Sequence, residues 1–130
     1  MSKVHHKKVQ PKILVVDDEP DLVNILESRL RTNGYEVLTA LDGLNGLLAA
    51  KREQPDLMLL DVMIPKIDGF SVCRLLKFDE KYQDITIVIL SALNQEKDSL
   101  LGREVGADAY LTKPFDANTL LETIKQLLWD

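Results

Sequence analysis

The chain has one cysteine in 130 residues. No intramolecular disulfide is available to it, and no second thiol or neighbouring histidine equips Cys73 as a metal ligand. A small secreted scaffold stapled by disulfides is thereby excluded, and a reducing, cytoplasmic setting fits. Long hydrophobic runs are also missing. The segment from Ile85 to Leu90 falls far short of the ~20 residues a membrane-spanning helix requires. The opening MSKVHHKKVQPK carries charge without the apolar stretch of a secretory signal. Positive charge is scarce as well: 16 Lys and Arg stand against 21 Asp and Glu, a net −5, which argues against a broad basic face for nucleic acid. Lys3, Lys7, Lys8 and Lys12, with His5 and His6, gather at the amino terminus. They read as a flexible, solvated basic tail over residues 1–11. No break in composition divides residues 12–130, so a single domain is expected there.

What the chain does have is apolar residues in two alternating periods. KILVV (12–16), EVLTA (36–40), LMLL (57–60), TIVIL (86–90) and AYLT (109–112) read as strands, three of them almost wholly apolar. Strands without polar alternation belong to a sheet covered on both faces, as parallel strands joined by crossover helices are. Between them, residues 20–32 place Leu22, Leu26 and Leu30 on one helical face, with Pro20 in the first turn and Asn33-Gly34 as a stop. Further helices are expected over 43–53, 70–79, 96–105 and 116–128, the last with Asp116 as its N-cap. Gly46, interior to the second, is expected to loosen it, at a cost of roughly 1 kcal/mol against alanine. Five β-then-α units in strict alternation predict an α/β fold with a five-stranded parallel sheet, doubly wound.

In such sheets the binding crevice lies beyond the carboxyl ends of the strands. Asp17, Asp18 and Glu19 follow the first run, Asp61 the third and Ser91 the fourth, and Lys113-Pro114 follows the fifth. Carboxylates crowded together repel, at about 4 kcal/mol for a pair ~4 Å apart at an effective dielectric of 20, so the cluster demands positive charge. Lys113 supplies one. An all-oxygen set without His or Cys selects a hard divalent ion, Mg²⁺ above all. An ionised carboxylate beside a cation and an ammonium is suited to accept a phosphoryl group, because the anionic group is neutralised and the nucleophile needs no base. Ser91 is placed to donate to a phosphoryl oxygen. Each element alone has a plainer reading: the Asp pair as turn or N-cap, Asp61 as a loop cap, Ser91 as a helix start, Lys113-Pro114 as a turn. Complementary chemistry at four strand ends together is hard to attribute to turn preference.

Across residues 11–129 the chain resembles the receiver domain of two-component response regulators. VVDDEP (15–20), LLDVMIPKIDGF (59–70), ILSA (89–92) and GADAYLTKPF (106–115) carry the likeness, at matching intervals. The resemblance implies the flavodoxin-like fold with strand order 2-1-3-4-5 and phosphorylation of Asp61 by a sensor histidine kinase or histidine phosphotransfer protein. It implies Mg²⁺ bound by Asp18, Asp61 and the backbone carbonyl of Met63, with Asp17 acting through water. Ser91 and Lys113 would contact the phosphoryl group, and the Lys113-Pro114 bond would be cis. Ser91 and Tyr110 would form the switch, and helix 96–105, strand 109–112 and helix 116–128 the output surface. It further implies a protein that catalyses only its own phosphorylation and dephosphorylation, with no direct nucleic-acid contact and no membrane association.

Departures from the family pattern refine this. Asn45-Gly46 stands where a Glu-Ala pair is frequent. Ala109 and Thr123 replace an Asp and an Arg that pair across the active dimer of winged-helix regulators, which weakens the case for that dimer, though a phosphorylation-dependent homodimer stays open. A stand-alone receiver is favoured over a receiver excised from a larger regulator or hybrid kinase. Met63 and Leu93, flanking the phosphate site, are apolar and hold no group to orient an attacking water, so slow dephosphorylation is expected. An aspartyl-phosphate hydrolase of the haloacid dehalogenase type would want Asp-x-Asp after the first strand and a cap insertion. A flavodoxin-like electron carrier would want a Ser, Thr and Gly-rich phosphate loop. Neither pattern is present.

Overall fold

The structure, a computed structural model, describes residues 10–92 and 95–129, the segment 95–99 by its backbone. Its strands are β1 (Lys12–Val16), β2 (Glu36–Ala40), β3 (Leu57–Asp61), β4 (Thr86–Ser91) and β5 (Ala109–Thr112). They alternate with helices α1 (Pro20–Thr32), α2 (Gly43–Glu53), α3 (Gly69–Lys77), α4 (Gln95–Glu104) and α5 (Ala117–Trp129). All strands pair in parallel in the order β2-β1-β3-β4-β5, as expected. Element limits agree with the sequence expectations to within two residues. Among the described residues no helix is long and apolar enough to cross a membrane.

The near-continuous apolar strands are explained by two cores. Leu14, Val16, Met58, Leu60, Ile87 and Ile89 face α2, α3 and Val105, just beyond α4. Ile13, Val15, Leu57, Leu59, Val88 and Leu90 face α1 and α5. Strand residues alternate between two buried faces, so neither face can be polar. At the amino end, Pro11 is buried and its carbonyl accepts from the Glu36 N–H at 2.9 Å, so this last residue of the expected tail belongs to the domain. His5, His6, Lys3, Lys7 and Lys8 lie outside the described residues.

Helix α2 corrects one expectation. Gly46 is buried, and a Cβ there would stand 2.8 and 2.9 Å from the two γ-methyls of Val16. The glycine admits α2 close to β1 instead of loosening the helix. Asn45 also contributes, its backbone N–H and side-chain amide both donating to the Asp42 carboxylate at 2.7 Å. The N-cap thus anchors the residue before Gly46. In an open helix Gly46→Ala gains about 1 kcal/mol of propensity. Here the new methyl overlaps the buried, β-branched Val16, and overpacking costs about 1–3 kcal/mol. Gly46→Ala is therefore expected to lower the urea unfolding midpoint; an unchanged or raised midpoint contradicts the close approach.

Candidate functional site

The carboxyl ends of β1, β3, β4 and β5 open onto one edge, and backbone bonds carry the ladder past the strands. Asp17 N–H donates to the Ala40 carbonyl at 3.1 Å, Val62 N–H to Leu90 at 3.1 Å, and Lys113 N–H to Ser91 at 2.8 Å. These bonds place residues adjacent in the sheet but distant in sequence. Asp17 and Asp61 are buried, Asp18 is exposed, and one carboxylate oxygen from each lies within 4.8 Å of the others. The cluster could hold a metal ion, and its all-oxygen chemistry fits a hard one.

Lys113 reaches into this cluster. Its Nζ donates to Asp17 Oδ2 at 2.6 Å and lies 3.3 Å from Glu19 Oε1 and 3.5 Å from Asp61 Oδ1. Glu19, to which the sequence assigned no role, is thus a partner of Lys113, and its own N–H donates to Asp17 Oδ1 at 3.0 Å. The Lys113-Pro114 bond is cis. Ser91 is buried at the end of β4. Tyr110 packs partly buried against the α2–α3–α4 core, its ring 3.8 Å from where a Cβ on Gly102 would stand. Among the described residues its buried hydroxyl finds no hydrogen-bond partner. Ser91 and Tyr110 share a sheet face, since Tyr110 pairs with Ile89, two residues before Ser91. Met63 is exposed in the loop after β3; Leu93 lies outside the described residues.

Burial, then the Asp17 carboxylate, pushes the Asp61 carboxyl up from 3.8 to about 6, against the opposing pull of Lys113. Burial alone would lower the Lys113 ammonium, but the Asp17 hydrogen bond and the surrounding acids outweigh it, and its pKa is raised. The amine therefore stays charged at neutral pH while Asp61 is ionised at a cost. The site has more negative than positive charge, as a cation site should.

Comparison with known proteins identifies this arrangement. The model of the response regulator receiver domain family matches residues 13–125. The chain is 45% identical over 118 residues to the DNA-binding dual master transcriptional regulator RpaA of Synechocystis, covering 91% of this chain and 49% of RpaA. It is also 45% identical over 117 residues to the alkaline phosphatase synthesis regulatory protein PhoP of Bacillus subtilis, covering 90% and 48%. Among solved structures, chemotaxis response regulator CheY4 of Vibrio cholerae superposes with a TM-score of 0.85 at 32% identity, over 92% of this chain and 99% of that one. The chain belongs to the response regulator receiver domain family. It spans about half the length of the curated regulators RpaA and PhoP, and the matches favour two-component signalling over the hydrolase and electron-carrier readings.

The raised Asp61 pKa has a consequence for stability. In the unfolded chain Asp61 titrates near 3.8 and in the fold near 6, so the contribution of protonated Asp61 is fully present below pH 4 and is lost as pH rises through 6. The full displacement corresponds to about 3 kcal/mol. Solvent screening and relaxation around the charged groups reduce that to about 1 kcal/mol, or ~4 °C in Tm. Without divalent cation, Asp61→Asn is expected to melt higher than wild type at pH 7.5, with the advantage vanishing toward pH 4. Equal melting temperatures at both pH values contradict this electrostatic account.

Proposed function

We propose that Asp61 is the phosphoacceptor of this receiver, taking a phosphoryl group from a phosphohistidine on a sensor histidine kinase or histidine phosphotransfer protein. The observation that carries the reading is Lys113 Nζ held between Asp17 and Asp61, at 2.6 and 3.5 Å, beside three carboxylates within 4.8 Å of one another. An Asp61 oxygen attacks phosphorus; the P–O bond forms as the P–N bond breaks, and the bonding pair returns to the imidazole nitrogen. Asp18, Asp61 and the Met63 carbonyl would hold Mg²⁺, with Asp17 acting through water, and the ion would supply neutralising charge for the transferring group. Lys113 and Ser91 hold the phosphoryl oxygens. Lys113 would then share its three N–H donors between Asp17 and the phosphoryl oxygens at the expense of its longer contact with Glu19, which couples phosphorylation to a local rearrangement.

The output is a change in partner affinity through α4, β5 and α5, with Ser91 and Tyr110 as the switch. A phosphorylation-dependent homodimer uses contacts other than an Ala109 to Thr123 ion pair, since neither side chain is charged; the Thr123 hydroxyl donates to the Thr119 carbonyl at 2.8 Å. The DNA binding named for RpaA belongs to a protein twice as long, and we assign no nucleic-acid contact to this acidic domain. The setting is cytoplasmic, and the only chemistry assigned is the gain and loss of the domain's own phosphate.

Incubation with a small acyl phosphate is expected to add one phosphate, by intact mass, that requires Mg²⁺, is base-labile and is absent from Asp61→Asn. A folded protein that takes no adduct from the acyl phosphate or from any phosphohistidine donor contradicts the assignment, and turnover of a phosphate ester by the unmodified protein brings the hydrolase forward. Met63, 63% exposed and apolar, stands beside Asp61 with no group to orient water. The adduct is therefore expected to persist for minutes with Mg²⁺ present, followed as mass against time; loss within seconds contradicts that role.

A further inference from the structure

We propose that the amino terminus of α2, through Asp42 and Gly43, is a clamp that positions the loop after β3 for cation binding, with Lys66 as its tether. The inference rests on the phosphoacceptor reading for its purpose but on separate residues for its geometry. Residues 62–68 join Asp61 to α3 and carry the Met63 carbonyl. Within the loop, Gly69 N–H donates to the Val62 carbonyl and Ile67 N–H to the Pro65 carbonyl, both at 2.9 Å. Among the described residues no hydrogen bond ends on the Met63 carbonyl, which leaves its oxygen available to an ion.

The loop is pinned to the α2–α3 core by Val62 and Ile64, with Ile67 packed against it, while Met63, Pro65, Lys66 and Asp68 are exposed. The path of its exposed side, Pro65 to Ile67, is set against α2. Gly43 N–H donates to the Pro65 carbonyl at 3.0 Å. A Cβ on Gly43 would stand 1.7 Å from the Ile67 carbonyl oxygen and 2.7 Å from its carbon. Both obstacles are backbone, so any side chain at 43 displaces the loop by roughly 1 Å or more before ordinary contact returns. Lys66 sits at φ 74, a left-handed conformation that a residue with Cβ rarely adopts and that persists where the surroundings dictate it. Its Nζ lies 3.5 Å from Asp42 Oδ2. The Asn45 backbone N–H bond, helped by Lys66, holds the Asp42 carboxyl below its ordinary range. Asp42, Gly43 and Lys66 are positioning residues: none is in the carboxylate cluster, and each acts through the loop.

Positioning and simple destabilisation are separable by ion choice. Mg²⁺ requires near-octahedral ligands at short distance, whereas Ca²⁺ accepts longer bonds and irregular geometry. Calorimetric titration of the unphosphorylated full chain with Mg²⁺ and with Ca²⁺, on wild type, Gly43→Ala and Lys66→Gly, reads this directly. Gly43→Ala is expected to weaken Mg²⁺ by about five-fold or more and Ca²⁺ by less than about two-fold. Lys66→Gly relieves the left-handed backbone, so its Tm does not fall, yet it weakens Mg²⁺ by about three-fold. Should Gly43→Ala fail to fold, Lys66→Gly carries the test alone. Equal weakening of both ions, unchanged Mg²⁺ affinity in the folded variants, or no Mg²⁺ binding by wild type each overturns the clamp. Unchanged Mg²⁺ affinity alongside a Mg²⁺-dependent adduct on Asp61 removes the clamp and leaves the phosphoacceptor reading standing. Clamp-dependent Mg²⁺ binding without any adduct does the reverse.

Discussion

One ammonium among four carboxylates is the constraint on which the rest of this structure depends. Lys113 bonds Asp17 at 2.6 Å and approaches Glu19 and Asp61, and Asp17 has no solvent exposure at all. A buried carboxylate without a partner would be costly, so Lys113 has to arrive there, and it can do so only from the end of β5. That requires β5 to lie in the same sheet as β1 with its carboxyl end on the same edge. Parallel strands meet that requirement for every site residue at once, and parallel strands in turn demand the covering helices on both faces. Electrostatics at the edge and hydrophobicity in the sheet therefore specify the same architecture from opposite directions.

The architecture was legible because its signals are local and redundant. A strand such as Leu57–Asp61, buried at every position, cannot be confused with a half-exposed one, and five β-then-α repeats leave few topologies once crossovers are right-handed. The site was legible for a related reason: acids, a hydroxyl and an amine directly after apolar runs stand out against strands that are otherwise almost wholly apolar. What escaped was whatever depends on distances between segments. Gly46 looked like a weak point by helix propensity, yet its meaning lies in Val16, thirty residues earlier, whose methyls fill the space a Cβ would need. Gly43 has no side chain and Lys66 reads as an ordinary loop lysine, and only the approach of Ile67 and the left-handed turn reveal what they do. Glu19 was visible as a third acid, but its contact with Lys113 spans 94 residues of sequence.

In the proposed reading, Tyr110 is the residue through which the same fold would support two states. Its ring is packed against the α2–α3–α4 core while its hydroxyl is buried without a partner among the described residues. An unsatisfied buried hydroxyl costs about 1–3 kcal/mol, and burial of the ring returns a similar amount. The two terms oppose each other, so under the proposed switch a packing with the hydroxyl in water and the ring less buried would be the alternative state. A small bias is then enough to move the population. Such a bias is available two residues along β4 from the position paired with Tyr110, on the same face of the sheet, where Ser91 would follow a phosphoryl group on Asp61. Coupling of this kind needs no long pathway. It would need a side chain whose apolar and polar halves want different environments, near a hydroxyl that answers to charge at the strand end, and the register of β4 with β5 puts Tyr110 and Ser91 on one face of the sheet.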